Sequence, residues 1–213
     1  MFSIPKREEI DHHTMKLIVG LIAISLAALT SIFSDGAIES ISASYHQGGW
    51  ARDIFVGSLF AISAFLLAYN GASRRQMILS KVAAFSAMGI AMFPCKCQFH
   101  PEIIPYLHGI SAAVMFLVLA GFCYTFYQRA RDKGHVQAIW RAGIYAVCGI
   151  TIVAVIVVLA IDGVLGGAIR ERIPRLTFYG EFAGLAAFGV AWLIASRVLP
   201  IISSKKERCS VFD

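Results

Sequence analysis

The chain has 213 residues, of which 58% are hydrophobic and 15% charged, and its mean hydropathy is +0.70. A soluble domain carries about 25% charged residues, so this composition excludes an ordinary soluble globule and describes an integral membrane protein. The net charge of +6 does not mark a nucleic-acid binder, because Lys and Arg lie between apolar runs and not along one basic face.

Residues 1–14 are polar and are expected to form a cytoplasmic tail. His12 and His13 lie in it, and neighbouring side chains on a helix point about 100° apart, which is poor geometry for sharing one ion. The opening is too acidic for a signal-peptide n-region, so the first apolar run is expected to stay as a helix. Six apolar runs follow, at 15–33, 54–69, 77–93, 107–127, 142–161 and 176–199. A helix needs about 20 residues to cross a bilayer, and the runs lack the period-two alternation of a barrel strand. The expected fold is therefore all-α, a six-helix transmembrane bundle over residues 15–199, with a cytoplasmic tail at 200–213. The second run is short unless its helix begins before Arg52 and Asp53.

Lys and Arg orient the bundle. Of the nineteen, only Arg52, Lys96, Arg170, Arg172 and Arg175 belong to one set of run ends, and the other fourteen belong to the opposite set. The positive-inside rule then puts both termini in the cytoplasm. Gly180 and Gly184 form a G-x-x-x-G that suits close helix contact. Trp50, Trp140 and Trp192 fall near run ends, where indoles favour the membrane interface.

With this topology the reactive residue types gather on the non-cytoplasmic side. The stretch SASYHQGGWARDIFVG at 42–57 packs serines, a histidine, an arginine and an aspartate beside an apolar helix, and polar groups next to lipid need partners. Asp53 suits a helix start, and Arg52 is expected to snorkel or to pair with an acid such as Glu181. Glu181 lies five residues into the last run, some 7 Å below its mouth at about 1.5 Å per residue. The loop FPCKCQFHPEIIPYLHG gives C-x-C-x-x-H from Cys95, Cys97 and His100, followed by His108. Thiolates and imidazoles so spaced can bind zinc or copper; a Cys95–Cys97 disulfide in an oxidising compartment is the competing reading.

These residues carry two functional expectations. The first is a polar pocket of Ser44, His46, Arg52, Asp53, His108 and Glu181 that binds a lipid headgroup or a partner subunit, the latter including a second copy of the chain. Arg52 is its anion-binding group, since a planar guanidinium suits phosphate or carboxylate. The second is a metal-dependent hydrolase of lipid amides or esters, with histidines as ligands and Asp53 or Glu181 as general base.

The segments SISASYHQGGWARDIFVGSLFAISAFLLAYNG, AMFPCKC, LHGISAAVMFLVLAGFCY and EFAGLAAFGVAWL resemble a group of bacterial six-span membrane proteins of unknown function. That resemblance implies a six-helix fold in the bacterial plasma membrane and names no reaction. More remotely, six spans with a polar outer loop after the first resemble the Frag/DRAM/Sfk proteins, which are associated with lipid organisation. A serine, an aspartate and several histidines on one membrane face are similar to the CREST hydrolases. Those have seven spans and an H-x-x-x-H zinc motif, where this chain has six runs and no H-x-x-x-H.

Overall fold

A backbone in lipid can satisfy its N–H and C=O groups only within its own segment, which makes each long apolar run a helix. The computed structural model describes residues 12–97 and 100–199, most of which are helical, with no strand among them. In chain order the elements are α1 (His12–Ile32), α2 (Ser44–Gln47), α3 (Gly49–Ala68), α4 (Arg74–Met92), α5 (Leu107–Arg131), α6 (Val136–Val164), α7 (Ala168–Arg172) and α8 (Leu176–Ser196). The expected tails at 1–14 and 200–213 lie outside the described residues, except that residues 12–14 open α1.

Five of the six long helices, all but α4, are long and apolar enough to cross a membrane, the make-up of a multi-pass membrane protein. The first two turns of α4 hold Arg74, Arg75, Gln76, Ser80 and Lys81, and this polar start lowers its apolarity below that of the other five. Lys81 sends its ammonium back to the α3–α4 turn, where it meets the Leu67 carbonyl and the Asn70 side chain. Ser73 caps α4 by accepting from Gln76 N–H at 3.3 Å, and His135 caps α6 by accepting from Ala138 N–H at 3.2 Å.

The six long helices close a ring in the order α1, α3, α4, α5, α6, α8, with α8 returning to α1. Glycine makes that return possible. A Cβ on Gly189 would lie 2.7 Å from the Gly20 carbonyl oxygen, and one on Gly20 would lie 2.9 Å from that of Gly189, so the two backbones touch. Gly184 likewise leaves room for the Phe116 ring of α5, which a Cβ would meet at 2.2 Å. Inside the ring Tyr69, Phe122, Phe188 and Trp192 pack as one aromatic cluster. Trp192 is fully buried there, which corrects its expected place at the interface; Trp50 and Trp140 do face outward.

The outer surface is apolar. On α6, Val147, Ile150, Val153 and Val157 all face out. A soluble monomer rarely exposes so long an apolar stripe, whereas a helix in contact with lipid must. The two ends of the bundle differ. One, the cysteine end, carries residues 33–43, 93–97, 100–106 and 165–175 with α2 and α7. The other is basic: Lys16 is buried with its ammonium 5.5 Å from the centre of the Tyr69 ring, and Arg129 and Arg197 line the same hollow.

Candidate functional site

The cysteine end is assembled around the first turns of α8. Glu181 turns inward and accepts from Ile41 N–H at 2.5 Å, from Ser42 N–H at 3.4 Å and from the Ser42 hydroxyl at 2.9 Å. Phe178 N–H donates to the Glu39 carbonyl at 3.0 Å, and Arg175 Nε donates to the Ile38 carbonyl at 2.9 Å. Together these bonds stitch the loop after α1 to the start of α8. The acid therefore spends its acceptors on backbone and a serine, and it does not meet Arg52 as the sequence led us to expect.

Arg52 instead pairs with its neighbour Asp53 at 3.2 Å, with both side chains about half exposed at 49% and 62%. The reason is where α3 starts. Gly48 and Gly49, with φ of 73° and 50°, break it from α2, so the helix begins before Arg52 and both residues fall on its outward face. Ser44 is fully buried and donates to the Ile41 carbonyl at 2.6 Å, closing a turn.

Between α5, α6 and α8 lies a cavity of about 940 Å³. Its deep walls are apolar, from Ala112 and Phe116 of α5 and Val155 and Leu159 of α6. Its rim is polar, with Ser42, Lys96, His108, Arg175 and Glu181. Of the expected pocket, then, His108 and Glu181 share one cavity with Cys95 and Cys97, while Ser44, His46, Arg52, Asp53 and His100 stand outside it. The His108 Nδ1 hydrogen-bonds the Phe93 carbonyl at 2.7 Å.

Arg170 and Arg175, expected only as charges that orient the bundle, both line this cavity, and Asp162 pairs with Arg170. Arg175 has its guanidinium carbon 4.2 Å from the Phe178 ring centre and no carboxylate partner among the described residues. Asp162 is buried and accepts from Arg170 Nε at 2.6 Å and from the N–H groups of Ile169 and Arg170 at 2.9 and 3.0 Å, which fixes α7 at the cavity rim. A legible signal exists for that pair: an acid and an arginine on either side of Gly166–Gly167, two residues that turn the chain back with φ of 67° and 94°.

Cys95 and Cys97 are joined by a disulfide with a Cα–Cα distance of 5.4 Å. The His46 Nε2 hydrogen-bonds the Cys95 carbonyl at 2.8 Å, and the His46 ring stacks on His100 at 4.3 Å between centres. One ligand atom each from His46, Cys95 and Cys97 all lie within 4.8 Å of one another. Among the described residues the potential metal ligands that converge are thus the two cysteines with His46; His100 and His108, both expected in the set, are not in this group. Compared with known proteins, the chain matches no family model, no curated protein and no solved structure.

Proposed function

We propose that this protein is a six-span protein of a bacterial plasma membrane, with both termini inside, and that its non-cytoplasmic cavity holds a membrane lipid. An acyl chain lies against α5, α6 and α8, and an anionic headgroup sits at Lys96 and Arg175. The observation that carries this reading is the two-part lining of the 940 Å³ cavity, apolar on its helix side and polar on its loop side. Small-molecule sites span about 300–1,000 Å³ and are mostly apolar with a few placed polar groups. Arg175 replaces Arg52 as the anion-binding residue, because it lines the cavity and lacks a carboxylate partner among the described residues, whereas Arg52 is already paired.

The orientation rests on the sequence, which assigns five Lys and Arg to the run ends that form the cysteine end and fourteen to the opposite set. The sixth crossing is α4. It packs between α3 and α5, and its preceding loop lies at the basic end while its following loop lies at the cysteine end, which supports a full passage.

Native mass spectrometry of the full chain released from vesicles of phosphatidylethanolamine and phosphatidylglycerol tests the reading. The expected result is one retained lipid per chain, lost in Ala112→Trp, which fills the apolar end, and weakened in Arg175→Ala. Retention unchanged in both variants would remove the cavity as a lipid site. The same spectra separate a lipid from a second copy of the chain or another subunit by mass.

One observation favours a second reading, a hydrolase of lipid esters or amides. With Nδ1–H donated to the Phe93 carbonyl, His108 keeps its lone pair on Nε2, the arrangement a general base needs. Fatty acid released from the same vesicles, and lost in His108→Ala, would select this reading over simple binding.

A further inference from the structure

The metal donors and the disulfide at the cysteine end are the same atoms, and this has a chemical consequence that stands apart from the lipid reading. We infer that Cys95, Cys97 and His46 form a redox-gated site for a thiophilic ion of the Zn²⁺ or Cu⁺ kind: closed as the disulfide, open as the dithiol.

The three donors are already gathered, and opening the Cys95–Cys97 bond lets the two sulfurs part to the spacing an ion needs. Two sulfurs and a nitrogen on one tetrahedral ion, with bonds of about 2.3 and 2.0 Å, stand roughly 3.5–3.8 Å apart, inside the 4.8 Å that encloses the three donors here. A ligating imidazole commonly gives its second N–H to a backbone carbonyl, which fixes the ring. The Cys95 carbonyl already performs that task for His46 Nε2, leaving Nδ1 with the lone pair. Ser40 Oγ lies 3.9 Å from Cys97 Sγ, a donor for a thiolate at that position. Two thiolates and an imidazole are soft to borderline ligands, which select zinc or cuprous copper over hard oxygen-seeking ions. Three protein donors leave a fourth position for water or for His100, whose ring stacks on His46.

The step balances as follows. A thiolate of an external dithiol attacks one sulfur and the Cys95–Cys97 bond breaks. The second external thiol then attacks the external sulfur of this mixed disulfide, which closes the external disulfide and releases the remaining protein thiolate. Two electrons pass to Cys95 and Cys97, which end as thiols, and the external dithiol ends as its own disulfide. Metal entry then forms two S–metal bonds and one N–metal bond and releases the two thiol protons. An external disulfide runs the exchange in reverse: it is reduced to its dithiol, the Cys95–Cys97 bond re-forms and the ion is expelled. Because Cys95 and Cys97 also line the 940 Å³ cavity, the two states present different walls to whatever occupies it.

The full chain in detergent, reduced by a dithiol that is then removed without air, is titrated with Co²⁺ as an optical probe. The expected result is one Co²⁺ per chain with thiolate-to-metal absorption, displaced by Zn²⁺, and none in the oxidised protein. His46→Ala should weaken binding about tenfold or more, and Cys95→Ser with Cys97→Ser should abolish it. Equal binding by oxidised and reduced chains, or binding retained without the two cysteines, would overturn the site. A test free of substitutions uses the reduced wild type: Zn²⁺ should slow maleimide labelling of Cys95 and Cys97 at least tenfold, and equal labelling rates with and without Zn²⁺ would also overturn it.

Discussion

Glu181 holds Ser42 by its hydroxyl at 2.9 Å across a sequence gap of 139 residues, and through it fastens the loop after α1 to the first turns of α8. A hydrogen bond contributes about 0.5–1.5 kcal/mol, and a buried donor left unpaired costs about 1–3 kcal/mol. Glu181→Ala removes the acceptor for two N–H groups and one hydroxyl, and is expected to destabilise the protein by about 3 kcal/mol. Urea or thermal unfolding in detergent reads the loss, and protease cleavage within 33–43 should accelerate with it.

Arg52 and Asp53 give the contrast. Exposed ion pairs contribute about 0–1 kcal/mol, so Arg52→Ala should leave stability within about 0.5 kcal/mol of wild type in the same unfolding assay. It should also leave lipid retention unchanged, because the pair stands outside the cavity. A large effect of Arg52→Ala on either readout would mean that its outward placement is wrong.

The contrast shows what was legible in the sequence and what was not. Each apolar run lies on one long helix, since length and apolarity are properties a span must carry in its own residues. The fate of single polar groups depends on which helices meet. Glu181 was identifiable as an acid in need of a partner, yet the partner is the backbone of Ile41 and Ser42, groups that every residue carries and no pattern marks. Trp192 sits near a run end but on the inward face of α8, and only the ring order of the helices decides that face. The short helices α2 and α7 depend on glycine turns and on the Asp162 carboxylate, not on periodicity.

Helix contacts at glycine give a graded series. A Cβ on Gly189 meets backbone, the Gly20 oxygen at 2.7 Å, which can move only with the whole of α1. A Cβ on Gly180 meets side-chain carbons of Leu159 and Val155 at 3.3 Å, which can shift by a few tenths of an ångström. Overpacking costs about 1–3 kcal/mol, so Gly189→Ala is expected near the top of that range and Gly180→Ala well below it. Thermal unfolding of the two purified variants in one detergent checks the order.

The cysteines divide by burial and bonding. Of the five cysteines, Cys209 lies outside the described residues; with Cys209 replaced by serine, the buried free thiols Cys123 and Cys148 and the disulfide-bonded Cys95 and Cys97 should all resist alkylation in the folded, oxidised protein. Reduction should open two sites to maleimide, at Cys95 and Cys97, before unfolding opens the others. A cross-link that spans so few residues restrains the unfolded chain by only about 1.5 kcal/mol in the loop-entropy model. Reduction should therefore lower stability by no more than that, and mass spectrometry with an unfolding curve reads both outcomes.

The passage of α4 is testable by sidedness. If α4 crosses, Asn70 in the α3–α4 turn and Glu102 in the loop before α5 face opposite sides of the membrane. An impermeant maleimide added to intact spheroplasts should label Glu102→Cys and spare Asn70→Cys until the membrane is opened, each in a background with Cys95, Cys97 and Cys209 replaced by serine. Labelling of both from outside would leave α4 lying within one leaflet. It would also put the α3–α4 turn on the same face as the cavity, and the polar first turns of α4, with Lys81 bonded to the Leu67 carbonyl, would then mark a re-entrant helix instead of a span.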